Sequence, residues 1–209
     1  MNGAPPVWRW GDPVEPLARL FARGGVAAIP TESSYGLAAD PRSARGVAAV
    51  FAAKGRPAGK PLPVVAADLG QIRALGLVVD AEERAGWTAL WPAPLTLLLP
   101  VTRPLPAAAG SGRCAVRVPA HRRLRGLLEA LGHPLTATSA NRSGEPPILE
   151  PARLTPLLIR SDAMIVDDGT LPGGPPSTLA RLDPEGLTIV RPGALSREAL
   201  TAARGGGVV

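Results

Sequence analysis

Residues 29–62 read IPTESSYGLAADPRSARGVAAVFAAKGRPAGKPL, and this stretch decides the fold. It continues an apolar run, Val26 to Ile29, that reads as a short strand ending in a Pro30-Thr31-Glu32 turn. Ser43 is placed to cap a helix that reaches Lys54, with Gly55 just past its end. Three cations, Lys54, Arg56 and Lys60, then fall within seven residues among glycines and prolines. The strand delivers a hydroxyl to a turn, and the helix delivers cations to a Gly/Pro loop. Together they point to a pocket for an anionic, phosphate-bearing ligand. This is not the common phosphate loop, since neither G-x-x-x-x-G-K-[ST] nor G-x-G-x-x-G after a strand occurs. The anion is expected to meet side-chain charge rather than a glycine nest.

Outward from this stretch, helices and strands mix throughout. Asp12-Pro13 reads as the N-cap and first residue of a helix that stops at Gly24-Gly25. Leu62–Ala66 reads as a buried strand. Asp68 opens a helix with Gln71 placed for a capping box, and Asp80 with Glu83 repeats the pattern. Strands are predicted over Leu95–Leu99, Cys114–Val118, Leu135–Thr138, Ala163–Val166, Thr178–Leu182 and Leu187–Val190. Leu124, Leu127, Leu128 and Leu131 give His121–Leu131 helical periodicity. Pro151 begins a further helix, and Ser196 caps a last one before a flexible glycine-rich tail. With no repeat and no long linker, the expectation is one α/β domain over 1–209. Its twisted, mixed β-sheet is flanked by helices. The loop Gly169–Pro176 leads straight into Ser177 and Thr178 and is predicted to face substrate.

Composition narrows the class. The chain has 209 residues, 45% of them hydrophobic but only 3% aromatic, so a Leu/Val/Ala core is expected. Its formal charge of +6, from 23 Lys and Arg against 17 Asp and Glu, fits an anionic partner. GC-rich coding, which favours Arg, Ala, Pro and Gly, explains that charge equally well. The single cysteine, Cys114, excludes an intrachain disulfide and reads as an inert core thiol. His121 and His133 lack metal-ligand spacing, so no metal-ligating residues are assigned. The N-terminus has no signal-peptide core, and the longest apolar run is too short for a bilayer. A soluble, cytoplasmic protein without a membrane partner is expected. Tyr35, Trp87 and Trp91 read as core residues, and Glu32 as a helix-capping or turn-bonding residue without a functional role.

Five segments stand out together: PTESSYGL (30–37), KGRPAGKPL (54–62), WPAPLTLLL (91–99), VRVPAH (116–121) with TATSANRSGEPP (136–147), and GPPSTL (174–179) with VRPGAL (190–195). In this order and spacing, over about residues 24–195, they resemble the YrdC-like family of threonylcarbamoyl-AMP synthases in its short, single-domain form. The resemblance implies the YrdC-like fold with a concave, positively charged pocket. It also implies nucleotidyl transfer: L-threonine, bicarbonate or CO2, and ATP give L-threonylcarbamoyl-AMP and pyrophosphate for t6A modification of tRNA. Magnesium is expected alongside ATP. Direct tRNA contact and contact with downstream threonylcarbamoyl-transferase proteins are left open. Ser33-Ser34, Asp168 and Pro176 depart from the family pattern and bear on loop conformation.

The resemblance also implies residue roles. Lys54 and Arg56 would meet ATP phosphates and act in catalysis, with Lys60 a weaker member of the set. Arg117 would grip threonine's carboxylate with its planar fork. Thr31 and Ser177 would lie near threonine. Ser139 and Asn141 would orient phosphate oxygens or a metal-bound water, and Arg191 would meet the nucleotide phosphates. Taken singly, each has a plainer reading. Lys54 and Arg56 fit a solvated helix C-terminus, Ser139 and Asn141 are turn formers, and Arg117 and Arg191 are surface arginines. A competing class is an RNA-binding module, for tRNA or double-stranded RNA, without catalysis. It lacks an RNP-type aromatic motif, a KH clamp and a dense Lys/Arg run. A carbamoyl-handling unit of hydrogenase-maturation type would carry Cys clusters that are absent from the sequence.

Overall fold

Val26–Pro30 is buried at every position, as a strand covered on both faces must be. In the computed structural model, which describes residues 4–55, 59–79, 86–158, 162–183 and 186–205, this strand is β2. It lies at the centre of a five-stranded sheet. The sheet runs β1 (Val7–Arg9), β9 (Ala163–Asp167), β2, β3 (Tyr35–Ala38), β8 (Thr138–Ser139). β2 is parallel to β9 and antiparallel to β3, so the sheet is mixed. A second, six-stranded sheet runs β11 (Gly186–Arg191), β10 (Thr178–Asp183), β5 (Leu95–Pro100), β6 (Arg113–Arg117), β4 (Val64–Val65), β7 (Leu135–Thr136). The α/β class and mixed pairing hold, but the strands divide between two sheets where one was expected.

The division occurs inside one predicted strand. Leu135–Thr138 was expected to be continuous. Instead Thr136 pairs with Val64 in the second sheet, while Thr138 pairs with Leu37 in the first. Ala137 is the crossing point. The Thr136 hydroxyl, fully buried, accepts the Ala39 N–H at 2.9 Å and donates to the Leu37 carbonyl at 3.3 Å. Its backbone N–H bonds the Ala39 carbonyl at 2.8 Å. Strand β3 is an addition to the sequence reading. Its Gly36 carries no β signal, yet it sits at a close approach of two strands. A Cβ would sit 3.3 Å from the Thr138 carbonyl oxygen. β1 is also an addition, too short for periodicity to show.

Helices follow the caps that the sequence displays, with local changes. In α2 (Ala44–Lys54), Ser43 accepts the Gly46 N–H and Gly55 adopts the left-handed conformation at φ 60°. In α3 (Leu69–Ala74), Asp68 caps Gln71 N–H. Gln71 reaches back to Ala67 N–H and across to the Leu128 carbonyl, so the capping box is only half formed. α1 (Glu15–Ala22) starts later than predicted, because Asp12 folds back onto the Arg9 N–H instead of capping it. α4 (Arg122–Leu131) has His121 as its cap. The Pro151 segment opens as a 3-10 turn before α5 (Thr155–Leu158), and α6 (Arg197–Gly205) follows Ser196, whose hydroxyl accepts the Ala199 N–H. Asp80 and Glu83 lie outside the described residues.

Leu17, Leu20 and Phe21 of α1 pack with Leu124, Leu127 and Leu128 of α4 and with Ile29 of β2. Val50 and Phe51 of α2 join Leu95, Leu97 and Leu99 of β5 in the larger core. Tyr35 and Trp87 are buried, as core residues should be. Cys114 is buried, and burial pushes its thiol up to about 12, far from a reactive thiolate. Among the described residues no helix is long and apolar enough to cross a membrane. Thr136→Val keeps the shape of the crossing residue but strands a buried N–H and carbonyl. We expect it to lower unfolding free energy by about 1–3 kcal/mol, read as a reduced urea midpoint at unchanged slope.

Candidate functional site

Along β6 the apolar Cys114 and Val116 face the core, so Arg117 projects from the opposite face. It is not a surface arginine: its side chain is only 12% exposed. Nη1 donates to Glu32 Oε2 at 2.7 Å. The other Glu32 oxygen accepts the Ala120 N–H at 2.8 Å. Contrary to the helix-capping or turn-bonding role expected from the sequence, the Glu32 carboxylate bonds Arg117 and the remote Ala120 N–H. It spans 85 residues to an ion pair that sequence separation concealed. Nε and Nη2 of Arg117 make no hydrogen bond with described residues. Among the described residues no buried side-chain nitrogen lacks a partner, so those donors open onto solvent.

Thr31 sits beside Glu32 and is buried, its hydroxyl donating to the Ser34 carbonyl at 2.8 Å. Its methyl lies 3.6 Å from where a Gly36 Cβ would stand. Gly36 pairs with Ser139 across the β3–β8 ladder, which brings the hydroxyl turn to the SAN segment. There Lys54, the last residue of α2, is 5% exposed. Its ammonium donates to the Ser139 carbonyl at 2.5 Å and to Asn141 Oδ1 at 2.7 Å. Ser139 Oγ donates to the same Oδ1 at 2.7 Å, and Asn141 Nδ2 donates to the Glu145 carbonyl at 2.5 Å. Lys54 is therefore built into the fold rather than carried on a solvated helix end. Arg56 lies outside the described residues. Lys60 is exposed and makes no hydrogen bond or ion pair with this cluster.

On the far side, Arg191 ends β11 and donates from Nη2 to the Ser177 carbonyl at 2.9 Å. Its pKa is pushed below the ordinary arginine value, first by desolvation and then by the charge of Arg117. Two guanidiniums thus feel each other with Glu32 as the carboxylate paired to one of them. Ser177 Oγ lies 2.7 Å from Thr96 Oγ1. Thr178 turns away, exchanging hydrogen bonds with the Leu195 backbone at 2.6 and 2.9 Å. Gly193 holds this corner shut, since a Cβ there would lie 2.3 Å from the Pro176 carbonyl oxygen. No group of three or more His, Cys, Asp or Glu side chains able to hold a metal occurs among the described residues.

The sequence profile of the Sua5/YciO/YrdC family, described as telomere recombination, matches residues 19–193. The chain belongs to this family. A curated relative named threonylcarbamoyl-AMP synthase, from Chromobacterium violaceum, is 43% identical over 148 residues, 69% of this chain and 77% of that protein. The structure of Pyrococcus abyssi Sua5 complexed with L-threonine superposes with a TM-score of 0.83 at 31% identity. That match covers 96% of this chain and 61% of the archaeal one, so this chain spans less than two thirds of its length. Escherichia coli YciO shares the fold at TM-score 0.78 and 22% identity, covering 96% of this chain and all of that one.

In this Sua5/YciO/YrdC chain the sequence departures are housed by specific contacts. Asp168 accepts from Trp10 Nε1 at 2.7 Å, Arg123 Nη1 at 2.6 Å and His121 Nε2 at 3.1 Å. His121 Nδ1 accepts the Leu124 N–H, which assigns the ring proton to Nε2. Tyr35 OH donates to the Gly169 carbonyl and accepts the Asp168 N–H, and burial raises its pKa. The Ser33 carbonyl accepts the Gly173 N–H, and that of Pro176 accepts the Ala194 N–H. Nothing at these positions marked Trp10, His121 or Arg123 in the sequence, because their shared partner is remote. Gly193→Ala should lower stability by about 1–3 kcal/mol through overpacking and speed proteolysis within 169–178. An unchanged denaturation midpoint would show that the Pro176–Ser177 backbone moves aside freely.

Proposed function

We propose that this chain condenses L-threonine, bicarbonate or CO2, and ATP to L-threonylcarbamoyl-AMP and pyrophosphate. The observation that carries this reading is Arg117, held by Glu32 with two donor nitrogens open, within a family whose curated relatives bear that enzyme name. The threonine amine forms a C–N bond to CO2 and loses a proton, giving a carbamate. A carbamate oxygen then bonds to the α-phosphorus of ATP as the bond to the pyrophosphate oxygen breaks. All three reactants are anionic at the point of meeting, so the main barrier is electrostatic. Positioned cations and donors offset it without a covalent nucleophile.

In this reading the open edge of Arg117 receives threonine's carboxylate, and Thr31 and Ser177 line the threonine side. Lys54, Arg56, Lys60, Ser139, Asn141 and Arg191 serve the nucleotide. The buried ammonium of Lys54 is pre-oriented by oxygens of Ser139 and Asn141, which supports a fixed donor rather than a mobile one. Magnesium is expected to enter with ATP, where Ser139 and Asn141 would orient phosphate oxygens or a metal-bound water. The product would feed t6A modification of tRNA in the cytoplasm. Direct tRNA contact and hand-over to threonylcarbamoyl-transferase proteins belong to the same proposal.

The test is pyrophosphate release with ATP, bicarbonate and each amino acid in turn. Threonine should support release, and valine should do so poorly. A polar wall left unpaired by valine's methyl costs roughly 1–3 kcal/mol. Arg117→Lys should raise the threonine KM about tenfold to a hundredfold while ATP affinity without threonine stays near wild type, because lysine lacks the planar two-bond fork. ATP-independent, steeply salt-dependent tRNA binding with no threonine-dependent release would replace this reading with the RNA-binding one.

A further inference from the structure

We infer that Glu32 is a specificity-determining, positioning residue. It holds one edge of Arg117 and cancels one positive charge, so that the open edge accepts a single carboxylate and turns polyphosphate away. The inference rests on the assignment of Arg117 to the threonine carboxylate.

Geometry supplies the first support. Glu32 lies on the turn between β2 and β3 in the first sheet, and Arg117 is the last residue of β6 in the second. The 2.7 Å bond from Arg117 Nη1 therefore crosses from sheet to sheet. The 2.8 Å bond from the Ala120 N–H fixes the same carboxylate to the segment that leads into α4. A guanidinium is planar, so holding one terminal nitrogen restricts where Nε and Nη2 can point. Each Glu32 oxygen already receives one N–H, so the residue acts through Arg117 and is not assigned a proton-transfer role.

Charge supplies the second. Strand register brings Arg191 toward Arg117: Arg191 pairs with Leu179, Leu179 pairs with Thr96, and Leu97 beside Thr96 pairs with Val116 beside Arg117. The charge of Arg117 is one cause of the lowered Arg191 pKa. Two guanidiniums and one carboxylate leave this trio with one net positive charge. That balance suits a monoanionic amino-acid carboxylate. Without Glu32 the pair would present two positive charges, and attraction scales with the charge of the ligand, which favours polyphosphate most. A carboxylate here thus keeps the amino-acid subsite from being taken by a phosphate tail.

The experiment is titration calorimetry of the full chain and of Glu32→Gln, with L-threonine, with ATP and with inorganic pyrophosphate as probes. Glutamine keeps the length of the side chain but carries no charge. Threonine should weaken about tenfold or more in the variant, as expected for loss of a charge-assisted bond. Pyrophosphate should tighten, and should compete with threonine in the variant but not in wild type. ATP, a polyphosphate that meets Arg191 in the same reading, should bind at least as tightly as to wild type, and the thermal midpoint should stay near wild type, which separates positioning from folding. Unchanged threonine affinity in Glu32→Gln overturns the inference, as does a parallel loss of ATP binding and thermal stability. Weakened threonine with unaltered pyrophosphate overturns the charge-selection part. A wild-type chain that binds no threonine overturns the proposed function itself, an outcome distinct from an unaffected variant.

Discussion

The crossing at Ala137 is the constraint on which the rest depends. Residues Leu135–Ser139 are shared by two sheets, and a strand that changes sheets must turn its hydrogen-bonding edge within one residue. Thr136 satisfies the backbone of Leu37 and Ala39 as it leaves the second sheet. Thr138 then pairs with Leu37 as the chain enters the first. Buried peptide groups left unpaired at such a junction would each cost as much as a lost hydrogen bond. Because the crossing is satisfied, Ser139 arrives beside Gly36, and Asn141 arrives beside the end of α2. The SAN turn is thus a consequence of how two sheets share one strand.

From that junction the candidate site assembles by reach. The β2–β3 turn extends Glu32 to Arg117, and the corner around Gly193 presses Arg191 toward Ser177. The cations are held in different ways. Lys54 is buried among carbonyl and amide oxygens, Arg117 is tied to a carboxylate, and Arg191 leans on a backbone carbonyl. Burial strengthens the interactions of Lys54 and Arg117 and penalises any charge left without partners, whereas Arg191 stays exposed. For Arg191, desolvation and the charge of Arg117 both work against the protonated form.

Much of the fold was legible. Capping and end signals at Ser43 and Gly55 placed α2, the leucine periodicity placed α4, and runs of apolar residues placed β5, β6 and β9 to within a residue or so. Each of those signals is local, arising from 3.6- or 2-residue periodicity or from a cap within four residues. What escaped had no local signal. β3 passes through a glycine at a close backbone approach, β1 is three residues long, and Asp12 forms a turn in preference to a cap. The split of Leu135–Thr138 was invisible because both halves have strand character.

By itself, the sequence determined the residue types of the site and the order in which they occur: hydroxyls at a strand end, cations after a helix, an arginine on an alternating strand, and the SAN and RPG turns. Only the tertiary structure decided their company. Lys54 faces oxygens 85 and 87 residues away, Glu32 answers Arg117, and Asp168 gathers Trp10, His121 and Arg123. The physical reason is that periodicity and capping act over a few residues, whereas charge pairing and desolvation act through space. They become defined only when the two sheets close upon each other and exclude water between them.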